Sequence, residues 1–219
     1  FSDKNLKTNV NSEYNQYIPN EFYRHGAPES VTYQQNPHVG TDYLSKVVKN
    51  IRSEIESLGG EFHFNTLFDD LEKSGDTVIV HCQDGKTFTT KYLLLGLGHS
   101  ARDTIRMLHT KGLMMEAKPF SIGVRMEHLQ RDINRMQYGQ AASLLPPASY
   151  KGVVPIGNRG VYTFCMCPGG TVMASASEEG TIVTNGMSEH KRDKANANSA
   201  LLVSVLPEDF LHGSVLDGI

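Results

Sequence analysis

The apolar positions of this chain change period along its length. Leu44, Val47, Val48, Ile51, Ile55 and Leu58 recur at three- and four-residue spacing between Thr41-Asp42 and Gly59-Gly60. That spacing predicts an amphipathic helix, with Thr41 as its N-cap, Asp42 against the positive helix end and the glycines as a left-handed stop. Upstream, Tyr14, Tyr17, Ile18 and Phe22 are spaced like one face of a short helix. Pro19 predicts a break inside it, and Gly26-Ala-Pro28 a stop. The period then falls to two. Phe62 and Phe64 predict a strand over Glu61–Phe68; Thr77–Gln83 predicts another, and the Asp84-Gly85 turn leads into Lys86–Thr90. Tyr92 to Leu95 run without alternation, as in a strand buried on both faces. Gly96, Gly98 and Ala101 follow at the spacing G-x-G-x-x-A, ahead of a helical segment carrying Ile105 and Leu108.

After Lys111-Gly112 the alternation becomes strict. Phe120, Ile122, Val124 and Met126 interleave with Ser121, Gly123, Arg125 and Glu127, which predicts a sheet with one face buried. Leu129, Ile133 and Met136 predict a short helix ending at Gly139, and residues 140–160 a long surface loop. Val161–Cys167, the turn Pro168-Gly-Gly170 and Thr171–Ser177 predict a hairpin. Glu178 to Asn198 is polar, and Leu201–Val205 is a last apolar element before Pro207. The predicted class is α+β: an α/β-type remnant with a β-meander over residues 1–112, then a mainly antiparallel β domain over residues 113–219.

Composition narrows the function. A length of 219 residues, 39% hydrophobic content and mixed charge fit a globular protein with a real core. A net charge of -3 and a pI near 6.3 give no electrostatic case for nucleic acid or an anionic membrane. No apolar run reaches bilayer-spanning length, and no signal peptide opens the chain. The 3 cysteines, Cys82, Cys165 and Cys167, do not form a secreted disulfide pattern, so a reducing cytoplasm is the expected compartment. A start at Phe1 reads as a piece cut from something longer.

Several residues carry candidate chemistry. Cys165-x-Cys167 fits a redox pair, two zinc ligands or buried strand thiols; histidines at matching metal-ligand spacing are lacking, so no metal site is assigned. Arg125 suits a planar oxyanion or an exposed strand position. His99, directly after the glycines, suits cofactor contact, acid–base work or a turn. No Ser-His-Asp set or carboxylate pair stands out.

Five blocks in order carry a family resemblance. They are His38-Val-Gly-Thr-Asp42, Gly96-Leu-Gly-His-Ser-Ala-Arg-Asp-Thr104, Ala117-Lys-Pro-Phe-Ser-Ile-Gly-Val-Arg-Met-Glu-His128, Phe164-Cys-Met-Cys-Pro-Gly-Gly170 with Glu178 to Met187, and Asn196-Ala-Asn-Ser-Ala200. Together they resemble the bacterial family of uncharacterised FAD-dependent dehydrogenases within the glutathione-reductase-like flavoprotein superfamily, over nearly the whole chain. The resemblance implies the middle portion of an FAD-dependent oxidoreductase. Its N-terminal G-x-G-x-x-G and its C-terminal flavin segment would lie outside this chain, so FAD is expected in the full-length protein and not on the isolated chain. It further implies that Gly96, Leu97, Gly98, His99 and Ser100 form a second glycine turn near the FAD, with backbone near Leu67 edging the adenine. His38 to Thr41 would face the same side. Arg125, Cys165 and Cys167 are the candidate catalytic residues. Substrate, electron donor (NAD(P)H or another) and oligomeric state stay unassigned. Two other readings remain open: a non-catalytic binding or assembly domain, and a thiol–disulfide protein using Cys165 and Cys167.

Overall fold

A computed structural model describes residues 12–218. Its helices are α1 (Tyr17–Arg24), α2 (Thr41–Ser57), α3 (Arg102–Thr110), α4 (Gln130–Tyr138) and α5 (Pro207–Phe210). Its strands are β1 (Phe68–Ser74), β2 (Thr77–Cys82), β3 (Thr87–Thr90), β4 (Phe120–Leu129), β5 (Val153–Ile156), β6 (Arg159–Cys167), β7 (Gly170–Ala174), β8 (Thr184–Ser188) and β9 (Asn196–Val205). All strand pairings described are antiparallel, and the class is α+β, as the sequence predicts. Contacts divide the chain into two units: residues 1–60 with 120–205, and residues 61–119 with 206–219. The termini Phe1 and Ile219, which bound the resembling region, lie outside the described residues.

In the first unit, α1 contains Pro19 without breaking. Proline there occupies the first helical turn, where a backbone N–H has no intrahelical acceptor to lose. Buried Ala27, Val31, Val39 and Val47 form a core with Phe22, Leu44 and Ile51 packed against it. The rest of the α2 stripe, Val48, Ile55 and Leu58, stays exposed. The expected cap is displaced by one residue. Gly40, at φ +90°, holds the cap position, and the Thr41 hydroxyl donates instead to the Ser188 carbonyl at 2.9 Å. At the other end the predicted stop forms: Gly60 N–H donates to the Ile55 carbonyl, and Gly59 takes φ +90°.

The main sheet has the order β4-β9-β6-β5, with a separate β7-β8 hairpin. Strand β9 begins at Asn196, ahead of the apolar run, and its polar half is the more buried: Ala197, Asn198 and Ser199 are 0% exposed. Strand β5 lies inside the stretch expected to be loop. It turns back through Gly157 and Asn158 to pair Ile156 with Arg159, and Pro155 is tolerated because β5 is an edge strand. The alternation of β4 is correct but its sense is reversed. Phe120, Ile122 and Val124 are 46%, 56% and 65% exposed, whereas Ser121 and Arg125 are half-buried. Of the polar phase, Ser121 and Arg125 turn inward because they have partners there, while Gly123 and Glu127 stay exposed: Tyr162 donates to Ser121 at 2.8 Å, and Arg125 donates to Asn198.

The second unit holds the meander β1-β2-β3, with the β2-β3 hairpin turning through Asp84-Gly85 as read from the sequence. The strand expected over Glu61–Phe68 is absent. Asn65 adopts φ 53°, which breaks an extended backbone, and β1 starts only at Phe68. Tyr92 to Leu95 likewise form no strand: they are 90%, 37%, 95% and 37% exposed. A run buried on both faces needs neighbouring strands on either side, and the described residues of this unit supply none to it. Helix α3 forms where expected and closes on Lys111-Gly112, with Gly112 at φ +86°.

Candidate functional site

The glycine turn and the bulge of β6 are the two places where the sequence-derived candidates gather. The turn lies in the second unit. Gly98 takes φ +70°, a conformation that favours glycine, while Gly96 does not. A Cβ built on either residue would meet nothing within 4 Å. The chain's own packing therefore does not require a glycine at Gly96. His99 and Ser100 are exposed and Leu97 is half-buried. Leu67, in the same unit, is 50% exposed and its carbonyl accepts from the Gln83 N–H at 3.0 Å. Open space beside the glycines leaves room for a flat cofactor edge to approach the main chain there. The helix-terminal phosphate cradle of a primary dinucleotide site is not formed by the described residues around it, since the strand before the turn is lacking.

The bulge lies in the first unit. Pairing between β6 and β9 runs Phe164 to Ala200 and then Cys167 to Asn198, so Cys165 and Met166 together oppose Ser199 alone. Cys165 adopts φ 51°, a left-handed conformation that costs a branched or thiol-bearing residue roughly 1 kcal/mol or more. The bulge interrupts the two-residue strand period between Cys165 and Cys167. Cys165 and Cys167 are reduced cysteines, not a disulfide; Cys167 is 0% exposed, and its Sγ lies 3.4 Å from the Cys165 carbonyl.

Arg125 holds this bulge from β4. Its Nη1 donates to Asn198 Oδ1 at 2.8 Å and to the Cys165 carbonyl at 3.2 Å. Arg125 Nε and Asn198 Nδ2 are buried without a partner, so the network is incompletely satisfied. The guanidinium sits against Gly186 of β8, where a Cβ would come within 2.5 Å of Arg125 Nη1 and 2.3 Å of Cys167 Sγ. Arg125, Cys165 and Cys167 are thus brought together, although they come from β4 and β6.

Glycine contacts carry this arrangement outward to the His38 block. A Cβ on Gly169 would lie 1.7 Å from the Arg192 carbonyl oxygen, and one on Gly40 2.4 Å from His190 N. His38 Nε2 donates to the Glu189 carbonyl at 3.0 Å, and His190 N donates to Asp42 Oδ1 at 2.9 Å. Gln130 ties the loop after β6 to the strand side, accepting from Gly169 N at 2.8 Å and donating to the Ala148 carbonyl at 2.9 Å. Asn198, Gln130 and Gly186 were not legible as site residues: Asn198 and Gly186 lie in a stretch that reads as polar, and Gln130 opens a short helix, so none of them stands out from its neighbours.

Beside the bulge lies a cleft of about 650 Å³ whose lining includes Tyr150, Lys151, Phe164, Cys165, Met166 and Arg192. The Tyr150 hydroxyl lies 3.3 Å from His128 Nε2, and burial pushes its pKa above the ordinary phenol value, partly opposed by a hydrogen bond with Ser199.

One further cluster escaped the sequence reading. Ligand atoms of Glu21, His25 and Glu54 lie within 4.8 Å of one another, a Glu-His pair at i, i+4 on α1 being its sequence trace. Arg24 already occupies both carboxylates, donating to Glu54 at 2.8 Å and Glu21 at 2.7 Å. His25 Nδ1 donates to the Glu21 carbonyl at 2.7 Å, and its Nε2 meets Glu54. The Arg24 bonds hold the Glu54 carboxyl below its usual range. The cluster is a hydrogen-bonded clasp between α1 and α2. Among the described residues, no helix is long and apolar enough to cross a membrane.

Comparison with known proteins places part of this chain. Residues 119–219 match the model of a family described as FAD-dependent protein, C-terminal domain-like. The whole chain is similar to a protein of Clostridium beijerinckii described as an uncharacterized protein, at 47% identity over 226 residues. The alignment covers 100% of this chain and 42% of the relative, so the chain spans less than half the length of the curated relative it matches.

Proposed function

We propose that this chain is the middle portion of an FAD-dependent oxidoreductase. The observation that carries the reading is the family match over residues 119–219 to FAD-dependent proteins. The relative's greater length supports a longer parent. The open space at Gly96 and Gly98 supports a cofactor role for that turn, because the chain's own packing gives no other reason for a glycine at Gly96. In this reading Gly96 to Ser100 and the backbone near Leu67 edge the cofactor, while residues 113–219 serve the substrate side. Bound flavin would supply hydride and electron transfer; the chain supplies position and electrostatics. Arg125, Cys165 and Cys167 are the first candidates for work on the substrate side, with Arg125 offering a fixed positive charge.

The test is the visible absorption spectrum of the full-length protein, followed by a screen for reductants that bleach it. Flavin bands that bleach with a physiological reductant are expected. A protein that stays colourless after incubation with FAD contradicts the proposal. The isolated 219-residue chain is expected to be colourless, because no G-x-G-x-x-G phosphate-anchoring motif occurs in its sequence.

A further inference from the structure

We infer that the run from Tyr92 to Leu95 is an unfinished strand, completed on both edges by strands from parts of the full-length protein outside this chain. Its side chains already alternate in exposure as those of a strand do. Tyr92 and Leu94 are 90% and 95% exposed, whereas Leu93 and Leu95 are each 37% exposed. Its main chain is unused. Thr90 Oγ1 donates to the Tyr92 carbonyl at 3.0 Å, and pairing stops there. Among the described residues, no main-chain N–H or C=O of residues 93–98 makes a hydrogen bond. Water satisfies these groups in an exposed loop, but loops are ordinarily rich in polar and turn-forming residues. Here Tyr92-Leu-Leu-Leu-Gly-Leu-Gly98 carries no charged or amide side chain. Open donors and acceptors beside leucines on both faces make a template for strand pairing.

The source of the pairing strands follows from what each occupant would leave undone. A second copy related by a two-fold axis pairs one edge and leaves the other edge in water. A docked helix covers side chains and leaves the main-chain groups unpaired. Strands on both edges satisfy the main chain, and an apolar run of this kind suits an interior strand with both faces covered. The length to supply them exists in the relative: the alignment covers 42% of the Clostridium beijerinckii protein, so more than half of it lies outside the aligned part. Completion also bears on the turn that follows. A strand fixed as far as Leu95 would hold Gly96 and Gly98 between strand and α3, the strand–turn–helix arrangement that the chain alone lacks. The inference rests on the longer parent of the proposed function and not on its flavin.

The test is amide hydrogen exchange in the full-length apoprotein, read by mass spectrometry of peptides covering residues 92–98. Protection of at least about 1,000-fold over the unstructured rate is expected, unchanged when the protein is diluted about tenfold. Exchange within about tenfold of the unstructured rate overturns the inference. So does protection that is lost on dilution, which assigns the pairing to a second copy. Photo-leucine incorporated in place of leucine identifies the neighbour. Cross-links from Leu93, Leu94 or Leu95 are expected to reach residues outside this chain; cross-links confined to residues 1–219 overturn the inference. Leu94→Asp should melt at least about 3 °C below the parent protein. A variant that melts with the parent overturns the inference, because Leu94 would then face water in the whole protein too. A colourless protein with protected amides would sink the flavin reading and leave this one standing.

Discussion

Two sets of glycines in this chain have opposite surroundings. At Gly40, Gly169, Gly170 and Gly186 a Cβ would collide with other atoms at 2.4, 1.7, 2.3 and 2.2 Å. At Gly96 and Gly98 it would touch nothing within 4 Å. The first set is explained by the chain itself: these glycines let strands, loop and α2 close over the Arg125–Asn198 network. The second set is not, apart from the positive φ at Gly98. A glycine without a packing reason is free to serve something that the chain does not contain. Glycine spacing in a sequence does not distinguish these cases; the atoms around the missing side chain do.

The largest effect expected from breaking this contrast is at Gly169. Gly169→Ala adds a Cβ against the Arg192 carbonyl at a residue with φ +48°, and should cost about 3 kcal/mol or more in a denaturant titration. Next is Asn198→Ala. It removes the Arg125 acceptor at 2.8 Å and leaves a buried guanidinium with the Cys165 carbonyl alone, a loss of about 2 kcal/mol by the same measurement. Raised reactivity of Cys165 towards iodoacetamide should accompany it as the bulge loosens.

Acid titration sharpens the comparison from the other unit. Lys111 donates to Asp70 at 2.7 Å, and Lys86 to Asp84 at 2.6 Å. These bonds hold both carboxyls below their ordinary value of 3.8. A carboxyl depressed in the folded state adds stability that is fully present above its unfolded value and lost as pH falls through its folded value. Urea midpoints of the meander should therefore be level near neutrality and fall below about pH 4. Asp70→Asn should flatten part of that fall, an effect reduced by salt because the pair is exposed. The smallest effect is at Gly96: Gly96→Ala should change folding stability by less than about 0.5 kcal/mol.

Local signals carried much of the fold. The α2 stripe with its glycine stop, the Asp84-Gly85 hairpin and α3 each depend on neighbours within one element, and each formed where the pattern placed it. Pro19 misled because a helix tolerates proline in its first turn. The misreadings elsewhere are tertiary. Which phase of β4 turns inward is decided by Asn198 and Tyr162, distant in sequence, and the β6 bulge is decided by pairing with β9. Tyr92 to Leu95 show the same limit: burial of an apolar run depends on strands that its own residues cannot specify. The Cys165–Cys167 spacing was visible, but its geometry was not, because a bulge interrupts the regular strand period between them.

Gly96→Val in the full-length protein puts the central claim to the most direct test, with visible absorption and thermal melting recorded on one preparation. If the turn serves bound FAD, the variant melts with wild-type apoprotein and loses flavin absorption. A variant that keeps its flavin and melts much lower would contradict the account, since Gly96 would then belong with the packing glycines.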